Sequence, residues 1–70
     1  MKFTILIEKG KNNFSAYVPD LPGCVATGNS LDKVKTNIQS AIELHIKGMK
    51  EDGLKIPLPK TISDIVIVAA

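Results

Sequence analysis

Residues 14–28 read Phe-Ser-Ala-Tyr-Val-Pro-Asp-Leu-Pro-Gly-Cys-Val-Ala-Thr-Gly. Two strand-like pieces, Phe14–Val18 and Cys24–Thr27, flank a turn made of Pro19, Asp20, Leu21, Pro22 and Gly23. Each proline fixes φ and removes an amide donor. Gly23 can supply a positive φ just before the chain re-enters the sheet. A two-residue hairpin would have sufficed to reverse the chain. The stiffer connection predicts a rigid, exposed loop tip that either sets strand register or meets a partner.

Upstream, Lys2–Glu8 alternates, with Phe3, Ile5 and Ile7 on one face and Thr4, Leu6 and Glu8 on the other. The polar run Lys9-Gly10-Lys11-Asn12-Asn13 joins this first strand to Phe14–Val18 as a hairpin. Downstream, Ser30 is a good N-cap and Asp32 suits the positive end of a helix dipole. Leu31, Val34, Ile38, Ala41, Ile42, His45 and Met49 recur at helical spacing, and Gly53 is a natural stop. Pro57 and Pro59 make Leu54–Pro59 an extended linker. Thr61–Val68 reads as a last strand with apolar residues on both faces.

The expected fold is therefore an α+β domain spanning residues 1–70, in the order βββαβ. It has a four-stranded mixed sheet and one long helix on one face, the crossover to the last strand being right-handed. One helix covers one face only. Leu6, Tyr17, Ile65 and Ile67 are then left on the open side or its edge, which predicts a homodimer through the sheet. A chain of 70 residues buries only about 60% of its unfolded surface, so association is the expected reinforcement.

The single cysteine, Cys24, excludes an intrachain disulfide, and with the single histidine, His45, it cannot form a zinc site. Both read as packed side chains rather than as nucleophile or ligand. The chain has nine lysines, seven acids and no arginine. Without the guanidinium fork that reads guanine edges and phosphates, direct nucleic-acid binding is not expected. No leader is visible, and the apolar run Ile65–Ala70 is too short to span a bilayer. With its lone cysteine, the chain reads as cytoplasmic, with no membrane contact. Glu8, Glu43 and Asp64 come from the elements that would carry acids in a ribonuclease H-like site, but solvated carboxylates are the simpler reading.

Phe14-Ser15-Ala16-Tyr17-Val18-Pro19-Asp20-Leu21-Pro22-Gly23-Cys24, Ala26-Thr27-Gly28, Ser30-Leu31-Asp32, Ala41-Ile42-Glu43-Leu44-His45 and Asp52-Gly53-Leu54 together resemble the HicB antitoxin family. The resemblance covers nearly the whole chain, and the Pro-Asp-Leu-Pro-Gly-Cys segment is its most specific part. It implies a partial ribonuclease H-like fold that has lost its catalytic acids. It also implies a non-enzymatic role: binding and blocking a small basic toxin, HicA, that cleaves messenger RNA with a histidine. Many such proteins add a C-terminal DNA-binding domain, and this chain resembles the short members without one. Asp20 and Leu21 on the turn and Glu43 on the helix are the expected partner contacts. No catalytic residue, metal or cofactor is expected. Two rival readings are an orphan structural homodimer and a minimal metal-dependent nuclease using Glu8, Glu43 and Asp64.

Overall fold

The computed structural model describes residues 1–70. Three strands, β1 (Leu6–Lys9), β2 (Phe14–Tyr17) and β3 (Val25–Gly28), form an antiparallel sheet in the order β1-β2-β3. One helix, α1 (Leu31–Glu51), covers one face. The register opposes Leu6 to Tyr17 and Ile7 to Ala16, then Ala16 to Ala26 and Tyr17 to Val25. Alternation therefore sends the Ile7–Ala16–Ala26 row toward α1 and the Leu6–Tyr17–Val25 row to the open face. The core is Ala16, Val18, Leu21, Cys24, Val34 and Ile38, with Phe3, Ile5, Ile7, Phe14, Ala26, Ala41 and Ile42 packed around it.

The link between β2 and β3 is two successive β-turns. The Leu21 amide donates to the Val18 carbonyl (3.1 Å), and the Cys24 amide donates to the Leu21 carbonyl (3.0 Å). A proline occupies the second position of each turn, where its fixed φ is pre-set. Gly23 holds the third position of the second turn with φ 83°, the conformation a type II turn requires. The Val18 amide then donates to the Cys24 carbonyl (3.1 Å), closing the loop on itself. This geometry corrects one expectation. The turn is exposed only at Pro22 and Gly23: Leu21 is 1% exposed and Asp20 is buried with it. Doubling the turn folds its middle back under the sheet.

Helix α1 starts where its cap dictates. Ser30 is extended (φ −148°, ψ 164°), and its Oγ accepts from the Lys33 amide at 3.0 Å. The helix ends in a Schellman motif. Gly53, at φ 69°, donates its amide to the Lys50 carbonyl, while the Leu54 amide donates to the Met49 carbonyl at 2.8 Å. Helix and sheet meet closely at Gly28, where a Cβ would lie 2.6 Å from the Val34 nitrogen.

A second correction concerns Thr61–Val68. The segment pairs with no strand of the chain, so the four-stranded mixed sheet is a three-stranded antiparallel one. Residues Leu54–Thr61 return along the body, with Ile56, Pro57, Pro59 and Thr61 half-buried. Beyond Thr61 every residue is exposed. β-Branched alternation specifies an extended backbone that fits a pleated surface, but it does not name the strand that provides that surface.

Candidate protein-interaction surface

The Asp20 carboxylate ties the β2–β3 turn to the C-terminal segment. Its Oδ2 accepts the amides of Lys60 (3.0 Å) and Thr61 (2.9 Å), and its Oδ1 accepts the Thr61 hydroxyl (2.7 Å). The Thr4 hydroxyl in turn donates to the Thr61 carbonyl at 2.7 Å. The Thr61 amide and hydroxyl, followed by the Lys60 amide, hold the Asp20 carboxyl below its ordinary value against the opposing cost of burial. Asp20 is thus committed to an internal partner, and Leu21 beside it to the core. A molecule meeting this turn from outside would touch Pro22 and Gly23, which are exposed.

Glu43 lies elsewhere. It is exposed at the rim of a groove of about 710 Å³ between the N-terminal segment and α1. Phe3, Ile5, Ile38, Ile42, Ile46 and Ile56 line this groove, and Lys35, Gln39 and Lys50 join Glu43 around it. The three expected partner contacts therefore do not share one patch. Leu6 and Tyr17 do: they are opposed across β1 and β2 on the open face, with Val25 extending the row. Ile65 and Ile67 stand apart from that row, in the exposed C-terminal segment.

The remaining polar candidates show no convergent chemistry. Glu8, Glu43 and Asp64 are all exposed, and no three His, Cys, Asp or Glu side chains gather where they could hold a metal ion. Cys24 is buried and its thiol is pushed up by that burial, away from nucleophilic use. His45 is half-buried on α1. No helix is long and apolar enough to cross a membrane. Three apolar features remain at the surface: the groove, the row of three residues across the sheet, and the exposed C-terminal segment.

Sequence reasoning missed Thr4 and Thr61 as holding residues, because their partners lie far away in the chain. Val25 could have been found: it alternates with the inward Cys24 and Ala26, which places it beside Tyr17 on the open face.

A family model described as "HicB_like antitoxin of bacterial toxin-antitoxin system" matches residues 3–68. The chain belongs to the HicB-like antitoxin family. Relatives of this HicB-like chain include a UPF0150 protein of Archaeoglobus fulgidus, 43% identical over 56 residues, covering 76% of this chain and 81% of that one. A UPF0150 protein of Helicobacter pylori is 41% identical over 54 residues, covering 77% and 75% respectively. A 14.9 kDa protein from the rep-hol intergenic region of Haemophilus phage HP1 is 40% identical over 57 residues. That match takes in 81% of this chain but only 43% of the phage protein. Among solved structures, a chain of a HicA3 and HicB3 toxin-antitoxin complex superposes with a TM-score of 0.73 at 32% identity, covering 84% of this chain and 70% of that one.

Proposed function

We propose that this chain is a non-enzymatic antitoxin that neutralises a small HicA-type, messenger-RNA-cleaving toxin by binding it directly. The observation that carries the reading is the likeness to a chain solved within a HicA3 and HicB3 toxin-antitoxin complex, at 32% identity and over 84% of this chain. The surface chemistry supports it. Apolar residues left at the surface, with scattered charges and no convergent acids, suit a protein contact better than a reaction. In this reading Glu43 meets the toxin at the groove rim. Asp20 and Leu21 act from within, holding the double turn that presents Pro22 and Gly23. The proposed place of action is the cytoplasm, where the toxin's RNA substrate is found.

Co-expression with a HicA-type toxin tests the proposal. Induction of the toxin alone should arrest growth, and co-induction of this chain should restore it, with the two proteins co-purifying. Arrest that persists while this chain accumulates as soluble, folded protein would overturn the reading.

A further inference from the structure

Helix α1 hands the chain on through two last backbone bonds, from the Gly53 amide to the Lys50 carbonyl and from the Leu54 amide to the Met49 carbonyl. From Lys55 onward no backbone–backbone hydrogen bond is made. The run Lys55-Ile56-Pro57-Leu58-Pro59 reaches across to Lys60 and Thr61, where the chain is caught again. There Asp20 accepts both amides and the Thr61 hydroxyl, and the Thr61 carbonyl accepts the Thr4 hydroxyl. Pro57 and Pro59 offer no amide donor and stiffen the run between its two ends.

This stiff run forms part of an apolar site. Ile56 lines the groove together with Phe3 and Ile5 of the N-terminal segment and Ile42 and Ile46 of α1. Ile56, Pro57 and Pro59 are half-buried, while Lys55, Leu58 and Lys60 are exposed. The walls of the groove are not held equally. Phe3, Ile5 and Ile42 pack against the buried core, and Ile56 does not. A segment with few buried contacts and few hydrogen bonds opens at a lower free energy than the fold as a whole. The pivot for such an opening is present. Gly53 is exposed at φ 69°, and a Cβ there would meet nothing within 4 Å, so no packed side chain resists movement at that point.

We propose that Lys55–Lys60 is a strap on the apolar groove, pivoting at Gly53 and latched at Thr61, and that it opens as a unit while the sheet and α1 stay folded. Closed, Ile56 completes the groove and Thr61 is shared between Asp20 and Thr4. Open, Ile56 withdraws and leaves Phe3, Ile5, Ile42 and Ile46 uncovered on that side. The latch acts as one piece, because its three bonds to Asp20 come from two adjacent residues and end on one carboxylate. The body does not depend on it: no residue of the strap belongs to the buried core. The strap therefore gates entry of apolar groups to the groove. The device needs no toxin, so it stands or falls separately from the antitoxin reading.

The test uses the full chain alone. Native-state amide exchange at Lys60 and Thr61 is compared with that at Ile38 and Ile42 of α1 in dilute denaturant, and emission of the apolar dye anilinonaphthalene sulfonate reports entry to the groove. In wild type the latch amides should exchange at least about tenfold faster than the α1 amides, at a rate insensitive to dilute denaturant, as a local opening requires. Thr61→Val keeps the shape of the side chain and removes the hydroxyl that donates to Asp20. It should speed exchange at Lys60 by a further factor of about ten, the loss of one hydrogen bond to a charged group, and raise dye emission with α1 exchange unchanged. Thr61→Ser restores the hydroxyl and should return both readings toward wild type. Latch amides that exchange only together with α1 overturn the proposal, and that reading needs no variant. Faster latch exchange in Thr61→Val with unchanged dye emission overturns it too, since the wall then stays shut with the latch broken. So does a rise in dye emission accompanied by faster exchange in α1, which would be a loosening of the whole body.

Discussion

Asp20 and Thr61 are joined by two hydrogen bonds across 41 residues of sequence, from the Thr61 amide to Oδ2 at 2.9 Å and from its hydroxyl to Oδ1 at 2.7 Å. This pair converts a turn between two strands into the anchor of the C-terminal segment. A carboxylate is suited to the task because it accepts several donors at once and donates none.

Asp20→Ala should release that anchor, since it removes both acceptor oxygens. Amide exchange at Lys60 and Thr61 should accelerate while exchange in α1 stays unchanged at neutral pH. Equal protection of Lys60 and Thr61 in the variant would show that the linker is held by other contacts.

The pH dependence follows from the same bonds. The Asp20 carboxyl titrates below its ordinary value of 3.8 because the Thr61 amide and hydroxyl favour the charged form. Its folded value lies below its unfolded one, so its contribution to stability is complete above the unfolded value. That contribution is lost as pH falls through the folded one. Denaturant melts between pH 5 and pH 2 should show wild type losing stability more steeply than Asp20→Asn.

Two glycines should respond to alanine for different reasons. At Gly23 a Cβ would meet nothing within 4 Å, so the cost is that of the positive φ alone, about 1 kcal/mol. At Gly28, where φ is not positive, the new Cβ would lie 2.6 Å from the Val34 nitrogen and 2.9 Å from its Cα. Backbone must then separate, and Gly28→Ala should cost about 2–3 kcal/mol. Chemical denaturation of both variants orders them, and a larger loss at Gly23 would contradict the packing described.

Much of this was legible locally. The prolines and Gly23 announced the β2–β3 turn, Ser30 announced the start of α1, and Gly53 its end, because caps and turns depend on neighbours a few residues away. The apolar stripe through Val34 and Ile38 identified the buried helix face for the same reason. Asp20 misled, because an acid between prolines reads as a solvated loop residue until Thr61 is brought to it. Thr61–Val68 misled differently. Its pattern predicts a strand, but the pairing partner of a strand is a long-range property with no local signature. Glu43 was placed on the helix correctly in the sequence, yet only the structure sets it at the groove rim.

Leu21 and Leu44 offer a paired test of where the stability sits. Leu21 is 1% exposed inside the core and Leu44 is 71% exposed on α1. Leu21→Ala should cost about 3 kcal/mol, and Leu44→Ala should stay within about 0.5 kcal/mol of wild type. Similar losses at the two sites would mean that Leu44 is buried in an assembly.

If this chain silences a HicA-type toxin by binding it, cleavage of a messenger RNA by the purified toxin, titrated with this chain, should show it directly. Cleavage should fall in proportion to added chain and stop once the toxin is saturated, with no change to the RNA when the chain is added alone. Undiminished cleavage in the presence of a molar excess of folded chain would contradict it.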